Sequence, residues 1–152
     1  MTFTVRAMTA HDRAAWVRMR GALWPGESLH AHGAEIDEIL GGADAWGFVA
    51  ETPTGEAVGF AELALRKYAN GCDSRPVPFL EGIWVDAAFR RRGIGARLIE
   101  HIEAFVAARG FREVGSDTPL DNRASQAAHR AWGFCETERV VYFRKLLSAA
   151  LR

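Results

Sequence analysis

Between Pro78 and Thr118 the chain runs an apolar stretch (PFLEGIWV), a basic loop punctuated by glycine, a long helical periodicity and a second strand-like stretch. This order constrains the fold more than any other feature. Two strands joined through one helix pair in parallel, because parallel neighbours need a crossover of a dozen or more residues. The octet 78–85 is short and rich in β-formers, and reads as a buried central strand. Ile94, Leu98, Ile102 and Phe105 recur at helical spacing, so 93–109 is an amphipathic helix closed by Gly110. Residues 112–118 form the next strand.

The remaining segments fall around this unit. Residues 2–6 alternate as a short strand. Helix 9–23 places Trp16, Met19 and Leu23 on one face, with Thr9 as N-cap and Trp24-Pro25-Gly26 as its stop. A second helix, 28–40, has Ile36, Ile39 and Leu40 on one side and ends at Gly41-Gly42. Strand 46–51 turns at Thr52-Pro53-Thr54-Gly55 into strand 57–67, in which Ala61, Leu63 and Leu65 alternate with Glu62 and Arg66. Residues 68–76 are a loop, 122–132 a helix closed by Gly133, and 137–146 a final strand. The order β-α-α-β-β-β-α-β-α-β predicts an α/β (α+β) fold: a central mixed, mostly antiparallel sheet with flanking helices. With no linker, repeat or low-complexity segment, 1–152 is expected to be a single domain.

Composition excludes several classes. Of 152 residues 49% are hydrophobic and 25% charged, which suits a folded chain rather than a disordered one. Nineteen basic residues balance nineteen acidic ones, so no global charge draws the chain to nucleic acid or an anionic membrane. The run Arg90-Arg91-Arg92 lacks the interleaved aromatics of a nucleic-acid binder. No apolar run reaches membrane-spanning length, and no secretory leader is expected from the N-terminal residues. Two cysteines point to the cytoplasm with both thiols reduced. Cys135, near His129 in the chain, reads as a buried free thiol rather than a nucleophile. His30 and His32 would point about 200° apart on a helix, and no metal is expected.

The strongest chemical signal is Arg90-Arg91-Arg92-Gly93-Ile94-Gly95-Ala96. First-turn helix amides lack intrahelical acceptors, and with the macrodipole they attract anions. Glycines at 93 and 95 allow close backbone approach. A phosphate or pyrophosphate is the expected ligand. A Walker loop would need Gly-Lys-Ser/Thr, and a dinucleotide fingerprint would need a third glycine where Leu98 stands.

Two further features stand at strand ends. Glu81 interrupts the apolar strand and by period two shares a face with Phe79, Ile83 and Val85. It is either half of a structural ion pair or a functional carboxylate. Ser116-Asp117-Thr118 ends the next strand, where side chains of neighbouring strands converge on a crevice. Asp121 or Asn122 can cap the following helix, and Trp24, at a helix end, can wall a pocket.

Val85-Asp86-Ala87-Ala88-Phe89-Arg90-Arg91-Arg92-Gly93-Ile94-Gly95-Ala96 resembles the acetyl-CoA-binding motif of the GNAT-superfamily N-acetyltransferases. Asn122 to Phe134, ending in Trp132-Gly133-Phe134, resembles their later Asn…Gly-Phe motif. Leu23-Trp24-Pro25-Gly26, Asn70-Gly71-Cys72-Asp73-Ser74, Phe79-Leu80-Glu81-Gly82-Ile83, Ser116-Asp117-Thr118 and Glu136-Thr137-Glu138-Arg139-Val140 together look like the aminoglycoside 6′-N-acetyltransferases.

The resemblance implies a GNAT acyltransferase fold, acetyl-CoA as co-substrate and an aminoglycoside as acceptor. The cofactor would run through a split between the strands ending near Val85 and Thr118. The 83–85 backbone (Ile83, Trp84, Val85) would meet the pantetheine arm. Arg91, Arg92, Gly93, Ile94, Gly95 and Ala96 would meet the pyrophosphate, with Asn122 beyond. Trp24, Tyr68, Glu81, Asp117 and Glu138 would contact the drug.

A neutral protein that binds a polyamine sugar needs a local acidic cleft. Glu81, Asp117, Glu136 and Glu138, with Asp73 near, supply carboxylates expected to raise one another's pKa values. The expected mechanism is direct attack in a ternary complex. Asp117 is the first candidate base and Glu81 the second, with an N–H near Val85 as oxyanion donor. Many superfamily members carry a tyrosine acid seven residues after the motif asparagine; here that residue is His129, a candidate acid.

Two rival readings keep parts of this picture: an acetyltransferase for another polyamine or protein amine, and a non-catalytic acyl-CoA- or drug-binding module. Strand 137–146 is apolar on both faces, Val140 and Tyr142 against Val141 and Phe143, and so wants cover on both sides. A homodimer with exchanged C-terminal strands, as in relatives, is expected.

Overall fold

The computed structural model describes residues 2–148; Met1 and residues 149–152, the ends of the expected 1–152 domain, lie outside the described residues. Five strands stand across one sheet in chain order: β1 (Thr4–Ala7), β2 (Ala45–Glu51), β3 (Ala57–Arg66), β4 (Val77–Val85) and β5 (Gly115–Ser116). Neighbours are antiparallel except β4 and β5, which are parallel. The β4–β5 connection runs through α3 (Ile94–Ala108).

The other helices are α1 (Arg13–Leu23), α2 (Leu29–Gly41) and α4 (Arg123–Ala131). Their ends follow the sequence. Ser28 caps α2 by accepting from the Ala31 amide at 3.0 Å, and Asn122 caps α4 by accepting from Ser125 at 3.1 Å. The α-helix expected from Thr9 begins one turn later: Thr9 caps the turn before it. It forms a capping box with Asp12 on a short 3-10 turn, Ala10–Asp12, and α1 begins only at Arg13.

Two cores lie on opposite faces of the sheet. α3 buries Ile94, Leu98, Ile99, Ile102 and Val106 against Phe48, Leu63 and Leu80. On the other face Trp16 and Met19 of α1 and Ile36 of α2 meet Val49 and Phe60. Leu40, expected beside Ile36 and Ile39, is exposed at the end of α2.

Three expectations are corrected. Glu62, read as the polar side of an alternating strand, is 5% exposed, because α1 and α2 cover that face. Trp16 donates to it at 2.8 Å and Arg20 at 2.6 Å. The strand expected over 112–118 shrinks to Gly115–Ser116, since β4 stops pairing with it beyond Leu80. The strand expected over 137–146 has no ladder partner among the described residues, and Val141, Tyr142 and Phe143 stand 78%, 78% and 92% exposed.

Candidate functional site

The site begins with a break in β4. Glu62 pairs with Gly82 and Leu63 with Leu80, which leaves Glu81 as an extra residue, a β-bulge. The bulge corrects the period-two reading. Phe79 belongs to a small cluster with Ala69 and Val77, whereas Ile83 and Val85 pack with Leu80 on the α3 face. Ile83 and Val85 therefore do not share a face with Phe79.

The bulge lies at a fork. Leu80 opposite Ser116 is the last paired register of β4 and β5. Beyond it β4 continues to Val85 with no neighbouring strand on that side among the described residues. The Asp86 amide bonds the Val58 carbonyl at 2.8 Å, and this fixes the phase of the antiparallel ladder. Trp84 and Gly82 turn their backbone groups toward β3, and those of Ile83 and Val85 point into the open fork. Ile83 thus presents a free N–H and carbonyl, and Val85 a free N–H, that an extended amide-bearing arm can pair with; the Val85 carbonyl already accepts from Arg90 Nε at 3.1 Å. Trp84, expected among the cofactor contacts, instead packs its ring with the α1 cluster.

At the far end of β4 the chain enters α3. Arg91 and Gly93 both have positive φ, 62° and 78°. Gly93 is the N-cap in left-handed conformation, and the first helical bond runs from Arg97 to its carbonyl at 3.0 Å. Successive amides on such a loop form an anion-binding concavity. Arg91, Arg92 and Ala96 are exposed beside it. Gly95 has a separate reason: a Cβ there would lie 2.8 Å from Trp132 Cζ2, so the packing of α3 on the end of α4 requires its absence. These residues suit a pyrophosphate and supply no other chemistry. Asn122 is exposed and engaged as a cap.

A cleft of about 1360 Å³ opens on the β5 side of the fork. Tyr68, Ser116, Asp117, His129, Glu136 and Glu138 line it. Three of the five expected drug contacts, Tyr68, Asp117 and Glu138, are brought together there. A Cβ on Gly71, at φ 82°, would meet Thr137 and lie 3.7 Å from Glu138 Cβ, so the 69–72 loop carries the Glu138 segment against the cleft. Trp24 and Glu81 line a neighbouring cleft of about 690 Å³. The Trp24 ring lies over Gly82, where a Cβ would be 2.5 Å from Cζ2.

Arg66 lies between the two clefts, and the sequence reading missed it. Its Nε and Nη2 donate to Glu81 Oε1 and Oε2 at 2.8 and 2.7 Å. The Glu81 hydrogen bond, with a lesser part from the charge of Asp117, raises the Arg66 guanidinium above its usual range. Glu136 is likewise paired, with Arg139 and, at 3.9 Å, with Arg130. The Arg139 hydrogen bond lowers the Glu136 carboxyl. The carboxylates were expected to raise one another; at Glu136 the arginine wins instead, because an opposite charge in contact outweighs like charges farther off. Among the described residues Asp117 has no salt-bridge partner. It stands exposed at the cleft mouth.

Trp24 is held from behind by a second group that the sequence did not reveal. His32, fully buried, accepts from Arg20 Nε at Nδ1, 3.1 Å, so its proton sits on Nε2 and reaches the Trp24 carbonyl at 3.1 Å. Arg20 also bonds Glu62 and Glu35 and lies 4.8 Å over the Trp24 ring. Trp16 and Arg20, one turn apart on α1, were the available signal. His30 is exposed, so the two histidines do not converge. Cys135 is exposed rather than buried. Cys72 is half-buried, and burial, aided by the Glu113 and Asp73 carboxylates, pushes its thiol up.

Comparison with known proteins agrees with this geometry. The model of the acetyltransferase (GNAT) family matches residues 13–134. An aminoglycoside N(6′)-acetyltransferase type 1 of Serratia marcescens is 48% identical over 139 residues, covering 90% of this chain and 95% of the relative. Its counterpart in Klebsiella aerogenes is 44% identical, covering 94% and 96%. The solved structure of AAC(6′)-Iy in complex with the bisubstrate analog CoA-S-monomethyl-acetylneamine superposes with a TM-score of 0.91 at 42% identity, covering 97% of this chain and all of that one. AAC(6′)-Ih from Acinetobacter baumannii gives 0.89 at 35% identity, with 97% and 100% covered. The chain belongs to the acetyltransferase (GNAT) family and, within it, to the aminoglycoside 6′-N-acetyltransferases.

Proposed function

We propose that this protein transfers the acetyl group of acetyl-CoA to the 6′-amine of an aminoglycoside, by direct attack in a ternary complex. The carrying observation is the fork: free N–H groups at Ile83 and Val85 on one arm, Asp117 on the other, and a phosphate cradle at Arg91–Ala96 at the far end of β4. The likeness to enzymes of that name, over nine-tenths of the chain, supports the acceptor.

Each residue has a task in this reading. Amides of the 91–96 loop hold the pyrophosphate. Val85, with its N–H turned into the fork, faces the oxygen that becomes anionic in the tetrahedral intermediate. Asp117, unpaired and at the mouth, takes a proton from the incoming ammonium directly or through water. Glu81 is gripped by Arg66 and serves to orient, with Trp24 and Tyr68 as walls and Glu138 as a further anion for the polycation. His129 stands where relatives carry a tyrosine acid. Fixing both substrates in attack geometry supplies much of the rate.

A second copy of the chain covers the apolar 140–147 segment. Its Val-Val-Tyr-Phe run, apolar on both faces, is a strand sequence without a ladder among the described residues, and strand exchange gives it one. Use of acetyl-CoA assigns the enzyme to the cytoplasm, and no helix of the described residues is long and apolar enough to cross a membrane. Acetylated drug would lose a cationic site, so resistance is the cellular consequence.

The test is a thiol-release assay with acetyl-CoA across aminoglycosides with and without a 6′-amine, with spermidine and a peptide alongside. Light scattering at micromolar concentration reports the dimer, and a monomeric mass overturns it.

A further inference from the structure

A protonated primary amine that becomes a secondary amide gives up two protons, and one of them ends on the departing thiol. Asp117 accounts for the proton that leaves before attack. Nothing in that assignment brings the second one to sulfur, and two side chains beside Asp117 have no task in it.

Ser116 is the last paired residue of β5, opposite Leu80, where the fork opens. It lines the same cleft as Asp117. Its Oγ lies 2.7 Å from His129 Nε2. On the other side of the ring, Nδ1 lies 2.7 Å from the Ser125 carbonyl oxygen. A carbonyl only accepts, so Nδ1 keeps its proton and Nε2 is the nitrogen that gains or loses one. Trp132 and Phe134 flank the ring at 5.4 and 5.2 Å between centroids and hold its plane. Asp117 adjoins Ser116 in the sequence, and Arg130, 3.9 Å from Glu136, adjoins His129.

The partner at Nε2 is a hydroxyl, and that is the informative choice. An amide or carboxylate there would favour one charge state of the ring. A hydroxyl both donates and accepts, so neutral imidazole and imidazolium are each satisfied without movement of either residue.

We propose that Ser116 Oγ and His129 Nε2 form a proton relay that carries the second proton from the attacking nitrogen to the leaving sulfur. After the N–C bond forms, the nitrogen passes a proton to Ser116 Oγ as the Oγ proton passes to Nε2. When the C–S bond breaks with its electron pair on sulfur, the imidazolium returns its proton to Oγ as Oγ delivers its own to the thiolate. Serine and histidine end as they began, and the products are amide and free thiol. The inference rests on the acetyl-transfer reading. It assigns Ser116, rather than the imidazole, to the substrate side.

The experiment compares wild type, Ser116→Ala, Ser116→Thr, His129→Gln and the Ser116→Ala/His129→Gln double variant, with acetyl-CoA and an aminoglycoside bearing a 6′-amine. Calorimetric binding of CoA to each variant separates folding from chemistry. A relay predicts that Ser116→Ala and His129→Gln each lower kcat about 10²-fold with KM for acetyl-CoA within about twofold of wild type. It predicts that the double variant is no slower than the worse single one, as for residues that act as a unit. Ser116→Thr keeps the hydroxyl and stays within about threefold of wild type. Full turnover in Ser116→Ala, losses that multiply in the double variant, or a Ser116→Thr as slow as Ser116→Ala overturns the relay. Should Ser116→Ala fail to bind CoA, the contrast of Ser116→Thr with His129→Gln decides. Absence of acetyl transfer in wild type overturns the acetyl-transfer reading itself, whereas an active wild type with unimpaired variants overturns only the relay.

Discussion

Glu81 and Asp117 are the first residues beyond the last paired register of the two parallel strands, Leu80 opposite Ser116. One stands on each arm of the fork. They are unlike in environment: Glu81 is clamped by both arms of the Arg66 guanidinium, and Asp117 has no ion-pair partner among the described residues. A carboxylate so clamped is fixed in direction by two charge-assisted hydrogen bonds. The proposed division of labour, Asp117 as base and Glu81 as orienting group, rests on that difference.

Asp117→Asn is expected to lower kcat about 10²-fold with little change in CoA binding. Glu81→Gln is expected to act differently. It leaves the Arg66 cation without its partner in the drug cleft, so KM for the aminoglycoside rises, by about tenfold, while kcat changes less. Steady-state kinetics of the two variants check this. Equal losses in kcat for both would reverse the roles.

Removing one member of the buried Arg20–Glu62 pair should unfold the α1 side of the molecule first. Both side chains are under 10% exposed; without Glu62 the buried Arg20 guanidinium is left to the more exposed Glu35, and the buried Trp16 Nε1–H loses its acceptor. Glu62→Ala is expected to cost about 3–5 kcal/mol, read by urea unfolding. Its loss also frees Arg20 and His32 from their positions behind Trp24, so drug binding weakens in whatever fraction stays folded.

Gly95→Val should fail on packing rather than on charge. Its Cβ would meet Trp132 Cζ2 at 2.8 Å, and overpacking of this kind costs about 1–3 kcal/mol. Displacement of Trp132 opens the end of α4, so CoA affinity by calorimetry and melting temperature fall together. Gly93→Ala, with open space around it but φ at 78°, should keep the packing and lose about 1 kcal/mol to backbone strain.

Much of this arrangement was legible in the chain. Helical spacing over Ile94, Leu98 and Ile102 located α3, and the glycines at 93 and 110 located its ends. A strand on either side of one such crossover helix suits a parallel pair, and β4 and β5 form one. The bulge was not legible, because alternation assumes one residue opposite one, and nothing in Phe79-Leu80-Glu81-Gly82 marks the extra residue. Glu62 was misread for a related reason. Alternation says which residues share a face, but not whether a helix with a donor tryptophan and an arginine will cover it. Residues 137–146 read as a strand from their composition; a ladder needs a partner, and sequence does not say which chain supplies it.

Stability should fall in acid through the Arg6–Asp12 pair. The Arg6 hydrogen bond, helped by the Thr9 amide, holds the Asp12 carboxyl down at about 2, against 3.8 ordinarily. A depressed folded-state pKa gives stability that is present above the unfolded value and lost as pH falls through the folded one. The window is therefore pH 4 to 2. With Arg6 43% exposed, solvent screening reduces the contribution to on the order of 1 kcal/mol. Asp12→Asn should flatten the wild-type decline in that window, measured by thermal melts in a pH series.

The central claim is that the fork joins acetyl-CoA to a 6′-amine. The most direct measurement is thiol release with two aminoglycosides that differ only at that position, one with a 6′-amine and one with a 6′-hydroxyl. The account predicts steady CoA release and a monoacetylated product with the amine, and release no faster than without drug for the hydroxyl analogue. Equal turnover of the two drugs, or none with either in the presence of bound CoA, would contradict it.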